Sequence, residues 1–162
     1  MAAVDYFLKI GDIKGESEDE QFKEHIQVES FSFGETQSGT QSFGGGGGAG
    51  KVQMQDFHFV MKLNSASPFL FDGCAQGEHY KKATLSCRKA GKGQQVFLTW
   101  EMEDVLVTSY QTGGSAGADV VPVDQVSLGF GKITIEYKKQ KKDGGMESVG
   151  KKSYDLKKNK AE

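Results

Sequence analysis

The segment Gly45-Gly46-Gly47-Gly48-Ala49-Gly50-Lys51 has the spacing of a phosphate-binding loop up to its lysine. Val52 follows where that chemistry needs a Ser or Thr hydroxyl for magnesium, and the residues after it alternate like a strand instead of opening a helix toward phosphate. The glycine run is therefore a poor nucleotide site. His25, His58 and His79 stand far apart, none with a second His or a Cys at ligand spacing, so surface or hydrogen-bonded histidines are the simpler reading. Cys87 beside Arg88 could be an activated thiol, but it falls in phase with Ala83 and Leu85 and should face inward, inert. Glu101, Glu103 and Asp104 near Trp100 could form a glycosidase-like carboxylate pair, yet nothing fixes their separation. The charged outer face of a strand accounts for them. No catalytic, metal-binding or cofactor-binding constellation emerges, and catalysis is not expected.

The elements that carry these residues read as β structure. With 162 residues the chain lies within the roughly 100–200 residues of one domain. Its 22 Gly against 2 Pro favour turns over long helices. Val4, Tyr6, Leu8 and Ile10 alternate over a half-buried strand, with Phe7 as the exception. Gly15 to Glu20 is too acidic to pack and should be a solvated loop. From His25 to Phe33, Ile26 and Val28 take one phase and Phe31 and Phe33 the other, which places a bulge near Glu29 or Ser30. Ser30 and Ser32 then point away from the two rings. A second phase slip near Gln55-Asp56 divides Val52 and Met54 from Phe57, Phe59, Met61 and Leu63.

Ser67 to Gly77 is the one helix, with Ser67 as cap, Pro68 in the first turn, Gly77 at the exit and Leu70, Phe71 and Cys74 as its buried stripe. Ala83 to Met102 reads as a hairpin turning at Ala90-Gly91-Lys92-Gly93, and Val105 to Tyr110 as a further strand. Val126 to Tyr137 changes phase at Gly131 or Lys132, the mark of a bulge. Around eight strands at short spacing with one helix describe an antiparallel sandwich or small barrel.

Charge is segregated along the chain. The formal charge is −2, which offers no electrostatic footprint for nucleic acid. Residues 138–162 hold nine Lys against Asp143, Glu147, Asp155 and Glu162, a balance of +5, while residues 1–137 carry −7 from 11 basic and 18 acidic residues. Such separation can orient head-to-tail contacts between copies, although a solvated lysine-rich tail, with one edge strand at Ser153 to Leu156, is the plainer reading. The start of the chain has neither a basic, apolar signal segment nor a membrane span, so synthesis in the cytoplasm without membrane insertion is expected.

The stretch from Gly34 to Lys51 has almost nothing to bury and reads as a long loop, a length normally functional or disordered. An extended arm and open sheet edges can pair with a neighbouring copy, and copies joined head to tail close into rings. The residues alone thus lean toward self-assembly.

The sequence resembles the Hcp family, the haemolysin-coregulated proteins of bacterial type VI secretion systems. The resemblance rests on Tyr6-Phe7-Leu8-Lys9-Ile10-Gly11-Asp12-Ile13-Lys14-Gly15-Glu16-Ser17, Gly50-Lys51-Val52, Arg88-Lys89-Ala90-Gly91 and Val105-Leu106-Val107-Thr108-Ser109-Tyr110-Gln111-Thr112-Gly113-Gly114-Ser115. It is nearly full-length, loosest after about Lys138, and treats residues 1–162 as one domain with an arm at 34–51 and a basic tail at 138–162. It implies an antiparallel β-barrel of two sheets with one short flanking α-helix, assembled into hexameric rings that stack into a tube. Such a tube resembles the tail tube of contractile bacteriophages; a contractile sheath expels it, the VgrG spike protein meets its tip, and small effector proteins travel in its lumen. The protein would then be secreted without a signal peptide.

By the same resemblance Ser32, with Ser30 beside it in phase, faces the lumen; the competing reading is that both are outer-surface serines. The arm Gln37-Ser38-Gly39-Thr40-Gln41-Ser42-Phe43-Gly44-Gly45-Gly46-Gly47-Gly48-Ala49-Gly50-Lys51 contacts a neighbouring subunit or ring. The alternatives are an effector-binding adaptor that never stacks and a small nucleotide-binding protein using Lys51.

Overall fold

Alternation over Val4–Ile10 produces strand β1, with Leu8 and Ile10 in the core and Val4 and Tyr6 half-buried against it. Phe7 is buried as well, on the opposite face, where it stacks on Phe22 with ring centroids 4.6 Å apart. The computed structural model describes residues 4–37, 51–90, 93–117 and 120–162. The Ser38 to Gly50 part of the expected arm, and Gly91 and Lys92 of the expected turn, lie outside those residues.

Both phase slips mark places where the chain changes partner. β2 (Ile26–Val28) pairs with β1; the Glu29 N–H then donates to the Val60 carbonyl at 2.8 Å, and β3 (Ser30–Ser32) pairs with β6 (Phe57–Lys62). The odd residue Glu29 lets Ile26 and Val28 before it and Phe31 after it all meet the core. The slip at Gln55-Asp56 is where a small ribbon leaves the main sheet: β4 (Glu35–Gln37) pairs with β5 (Val52–Met54) as a separate two-stranded sheet. A hydrogen bond from the Gln55 N–H to the Gly34 carbonyl, 2.8 Å, closes its base. The segment expected as loop from Gly34 onward therefore begins as strand. Its side chains bury little, but pairing with β5 satisfies its backbone.

β7 (His79–Lys89) and β8 (Val96–Gly113) form the expected hairpin. β8 also absorbs Val105 to Tyr110, expected as a separate strand. It bends at Asp104, which sits at φ +56, and its register shifts between Val107 and Ser109. The bend gives β8 two partners on one side, β10 (Lys132–Gln140) along its first half and β9 (Val123–Gly129) along its second. At Gly131, where one bulged strand is expected, the chain breaks into these two, and the Gly131 N–H is shared between the carbonyls of Glu103 and Asp104 at 2.9 and 3.2 Å. Residues 138–162, expected as a solvated tail, are mostly exposed but mainly strand: β11 (Met146–Asp155) pairs with β10, and β12 (Lys160–Ala161) pairs with Tyr154 and Asp155.

Pairing runs from β1 through β7, β8, β9 and β6 to β3, and the continuous β2–β3 segment returns it to β1. The result is an antiparallel barrel whose two halves share β8, with β10 to β12 extending from it. Phe57, Phe59, Leu8, Ile10, Met61, Leu85, Met102 and Leu128 fill it. Each such side chain contributes about 1.5–3 kcal/mol when fully buried.

Helix α1 (Ser67–Gln76) flanks the barrel, with Pro68 in its first turn and Gly77 at φ +64 at its exit. Ser67 is not the cap. Asn64 accepts a hydrogen bond from the Ala66 N–H at 2.8 Å, while the Ser67 hydroxyl donates to the buried carboxylate of Asp124 at 2.6 Å. The buried stripe is Ser67, Leu70 and Gly73; Phe71, expected inside, is 62% exposed, and Cys74 is half-buried. A Cβ at Gly73 would overlap the Tyr80 hydroxyl, so packing explains a glycine that costs the helix about 1 kcal/mol in propensity.

Candidate functional site

Gly45 to Gly50, the phosphate-loop candidate, lies outside the described residues, but its sequel does not support it: Lys51 is exposed, and Val52 starts β5 instead of a helix. His25 contacts the Lys23 carbonyl at 3.2 Å, His58 the Ser127 hydroxyl at 3.1 Å and His79 the Asp104 carboxylate at 3.3 Å. Among the described residues no three His, Cys, Asp or Glu side chains are grouped to hold a metal ion. Cys87 is fully buried, and burial pushes its thiol up to about 12, as its phase with Leu85 predicts.

The carboxylates near Trp100 each face a cation. Glu101 is 3.2 Å from Lys82 and Glu103 is 3.8 Å from Lys132. Asp104 binds Lys157 and His79, and the Lys157 hydrogen bond, foremost, lowers its carboxyl below the usual carboxylate range. Paired, surface-lying carboxylates of this kind fit the sheet face expected of them.

One buried cation carries no motif in the sequence. Arg88 is 2% exposed and donates to both Asp19 oxygens, at 3.0 and 2.6 Å, and to Asp5 at 3.3 Å. Its guanidinium lies 4.9 Å from the Phe7 ring centroid and 5.4 Å from that of Phe22. The Arg88 hydrogen bond draws the Asp19 carboxyl down to about 2. Asp19 also accepts from the N–H groups of Gln21 and Phe22. The Gly15 to Glu20 loop is thus clamped and not simply solvated: Ser17 and Phe22 are buried, and Glu16, Glu18 and Glu20 are left exposed. The signal lay in the alternation: Arg88 follows Cys87 and so shares the face of Phe7, and the register sets it opposite Asp5.

What the chain offers its surroundings is surface. Ser30 and Ser32 are both exposed, while Phe31 between them turns inward, 5.6 Å from the Phe57 ring and 5.2 Å from that of Tyr6. The two serines share one face. Gln37 and Lys51, the described ends of the expected arm, are exposed at the open end of the β4–β5 ribbon. On α1, Phe69 and Phe71 are 61% and 62% exposed.

Comparison with known proteins gives consistent matches. A family described as "Type VI secretion system effector, Hcp" matches residues 7–137. "Protein hcp1" of Pseudomonas aeruginosa is 45% identical over 143 residues, 88% of each chain. Among solved structures, one described as a type six secretion system protein superposes with a TM-score of 0.92 at 25% identity, covering 99% of this chain and all of the other. Hcp1 from Salmonella typhimurium superposes with a TM-score of 0.81 at 33% identity, again over 99% of this chain and all of its own.

Proposed function

The chain belongs to the Hcp family of type VI secretion system proteins, and from that premise we propose that it works by assembly, as the ring-forming unit of the secretion tube. Hexameric rings that stack are characteristic of this family of structural, secreted proteins. The observation that carries the assembly reading is the β4–β5 ribbon. Met54 packs against the core and the Gln55–Gly34 hydrogen bond holds the base of the ribbon, but Glu35, Thr36 and Gln37 bury almost nothing within their own chain, and a two-stranded ribbon is marginal in water without a further partner. A neighbouring copy supplies the missing partner, reached by the arm from Gln37 to Lys51.

Ser30 and Ser32 line the bore in this reading. Small hydroxyl side chains on a face opposite the core suit an aqueous channel that must pass many cargoes without gripping one. Around the ring stand the partners of the tube: the same chain above and below, sheath proteins outside, the VgrG spike at the tip and small effector proteins within. The protein is made in the cytoplasm and leaves with the tube; among the described residues no helix is long and apolar enough to cross a membrane.

Sedimentation equilibrium of the purified chain tests the proposal. The expected species has six times the 17.6 kDa chain mass. A single-chain mass across the concentration range overturns it.

A further inference from the structure

Two complementary surfaces lie toward opposite ends of the main sheet. At one end β1 and β2 border an open cleft of about 600 Å³. Val4, Tyr6 and the 44%-exposed Leu63 give it an apolar wall. Its charged lining is Asp5, Glu16 and Glu29 against a single cation, Lys62, which stands 3.7 Å from Glu29. Asp5 is turned toward Arg88 at 3.3 Å, so the net charge offered to solvent comes from Glu16, with the exposed Glu18 and Glu20 beside it.

At the other end a hairpin projects. β10 has its last β8 partner at Tyr137, opposite Leu98, yet its ladder with β11 continues to Gln140 opposite Met146. The overhanging tip carries Lys138, Lys139, Lys141 and Lys142 against Asp143 and Glu147. Tyr137 and Val149 behind it are each 48% exposed. One surface is thus apolar with acids at its rim, the other apolar with lysines at its tip. In the sheet, β7 and β8 stand between β1 and β10, so the two surfaces are separate patches.

We propose that the lysine-bearing β10–β11 tip of one copy seats in the acid-rimmed cleft beside β1 and β2 of the next, a head-to-tail contact between copies. The inference rests on the assembly reading above and adds the surfaces and the direction. Exposed ion pairs contribute little one by one, so Tyr137 and Val149 supply the buried area. The segregated charges set which end meets which and speed the encounter. Because these charges are screened over about 10 Å at 0.1 M ionic strength, the contact weakens as salt rises.

Sedimentation velocity on the full chain at about 0.05 M salt, where screening is weak, tests it with three variants. Lys141→Glu/Lys142→Glu and Glu16→Lys/Glu29→Lys are each expected to raise the concentration for association by at least about tenfold, since like charges are brought together. The chain carrying all four substitutions is expected to associate like the parent, which keeps a folding defect from passing as the result. A parent chain that never associates overturns the assembly reading, and this contact with it. A parent that associates, alongside charge-reversed pairs that match it or a four-substitution chain no better than either pair, overturns the contact alone.

Discussion

Arg88 and Asp19, 69 residues apart in sequence, meet through both oxygens of one carboxylate, with the guanidinium almost wholly withdrawn from water. Bidentate geometry of this kind is the strongest charge-assisted pairing available to side chains. It ties the acidic loop to β7 and so fixes where Glu16, Glu18 and Glu20 are presented. A surface feature that carries charge outward depends on a cation buried beneath it.

Removing the carboxylate should therefore be severe. Asp19→Asn leaves Arg88 buried without its main counter-charge, and the melting temperature at fixed protein concentration is expected to fall by roughly 5 °C or more. Arg88→Lys, which keeps the charge but loses the planar fork, is expected to lower it as well. An unchanged melting curve for Asp19→Asn would mean the pair is ornamental.

The same pair predicts an acid limb. The Asp19 carboxyl titrates near 2 when folded and near 3.8 as its ordinary value. The unfolded chain takes up this proton first as pH falls, so the stabilisation is complete above about pH 4 and drains away toward pH 2. Asp104 and Glu162, held low by Lys157 and Lys132, act in the same direction. Melting temperatures between pH 5 and 2 should fall more steeply in the parent than in Asp19→Asn; identical slopes would contradict this account.

Gly15 is expected to tolerate no side chain. A Cβ there would stand 2.5 Å from the His25 carbonyl oxygen and 2.7 Å from the Ile26 Cα, all backbone that cannot rotate away. Gly15→Ala should cost about 3 kcal/mol in denaturant unfolding, at the upper end of overpacking penalties. Gly150→Ala, where nothing lies within 4 Å, is the control and should stay within about 0.5 kcal/mol of the parent.

Thiol labelling should separate the two cysteines. Cys74 is half-buried, whereas Cys87 has no exposure and a thiol pushed up to about 12. At pH 8 one thiol per chain is expected to react promptly with a small disulfide reagent, and the second only with unfolding. Labelling that survives Cys74→Ser in the folded chain would contradict the placement of Cys87.

Ser30→Glu/Ser32→Glu tests whether these serines line the proposed bore. Both side chains point to solvent, so rings are expected to persist, while co-purification of small acidic effector proteins falls through repulsion. Loss of rings would place the serines in a subunit contact instead.

The strands were legible in the sequence because period-two alternation survives wherever one face meets a core, as at Leu8 and Ile10 or Ala83, Leu85 and Cys87. Even the partner changes left a trace, as phase slips at Glu29 and Gln55-Asp56. What alternation cannot encode is pairing. It made β8 into two strands, because the left-handed turn at Asp104 breaks the pattern without breaking the strand. It hid Arg88, whose neutralising carboxylate arrives from a loop that looked merely acidic. It put Phe71 inside, since helical spacing was read from hydrophobicity while the Tyr80 hydroxyl required the bare face of Gly73 to be the buried one. The surfaces proposed for assembly were visible only as charge segregation until the projecting hairpin and the cleft gave the charges places.

Negative-stain electron microscopy of the purified chain at low salt looks for the rings themselves. Annular particles with an open centre are expected, joined face to face in at least some fields. A uniform field of small single-chain particles at every concentration tried would contradict it.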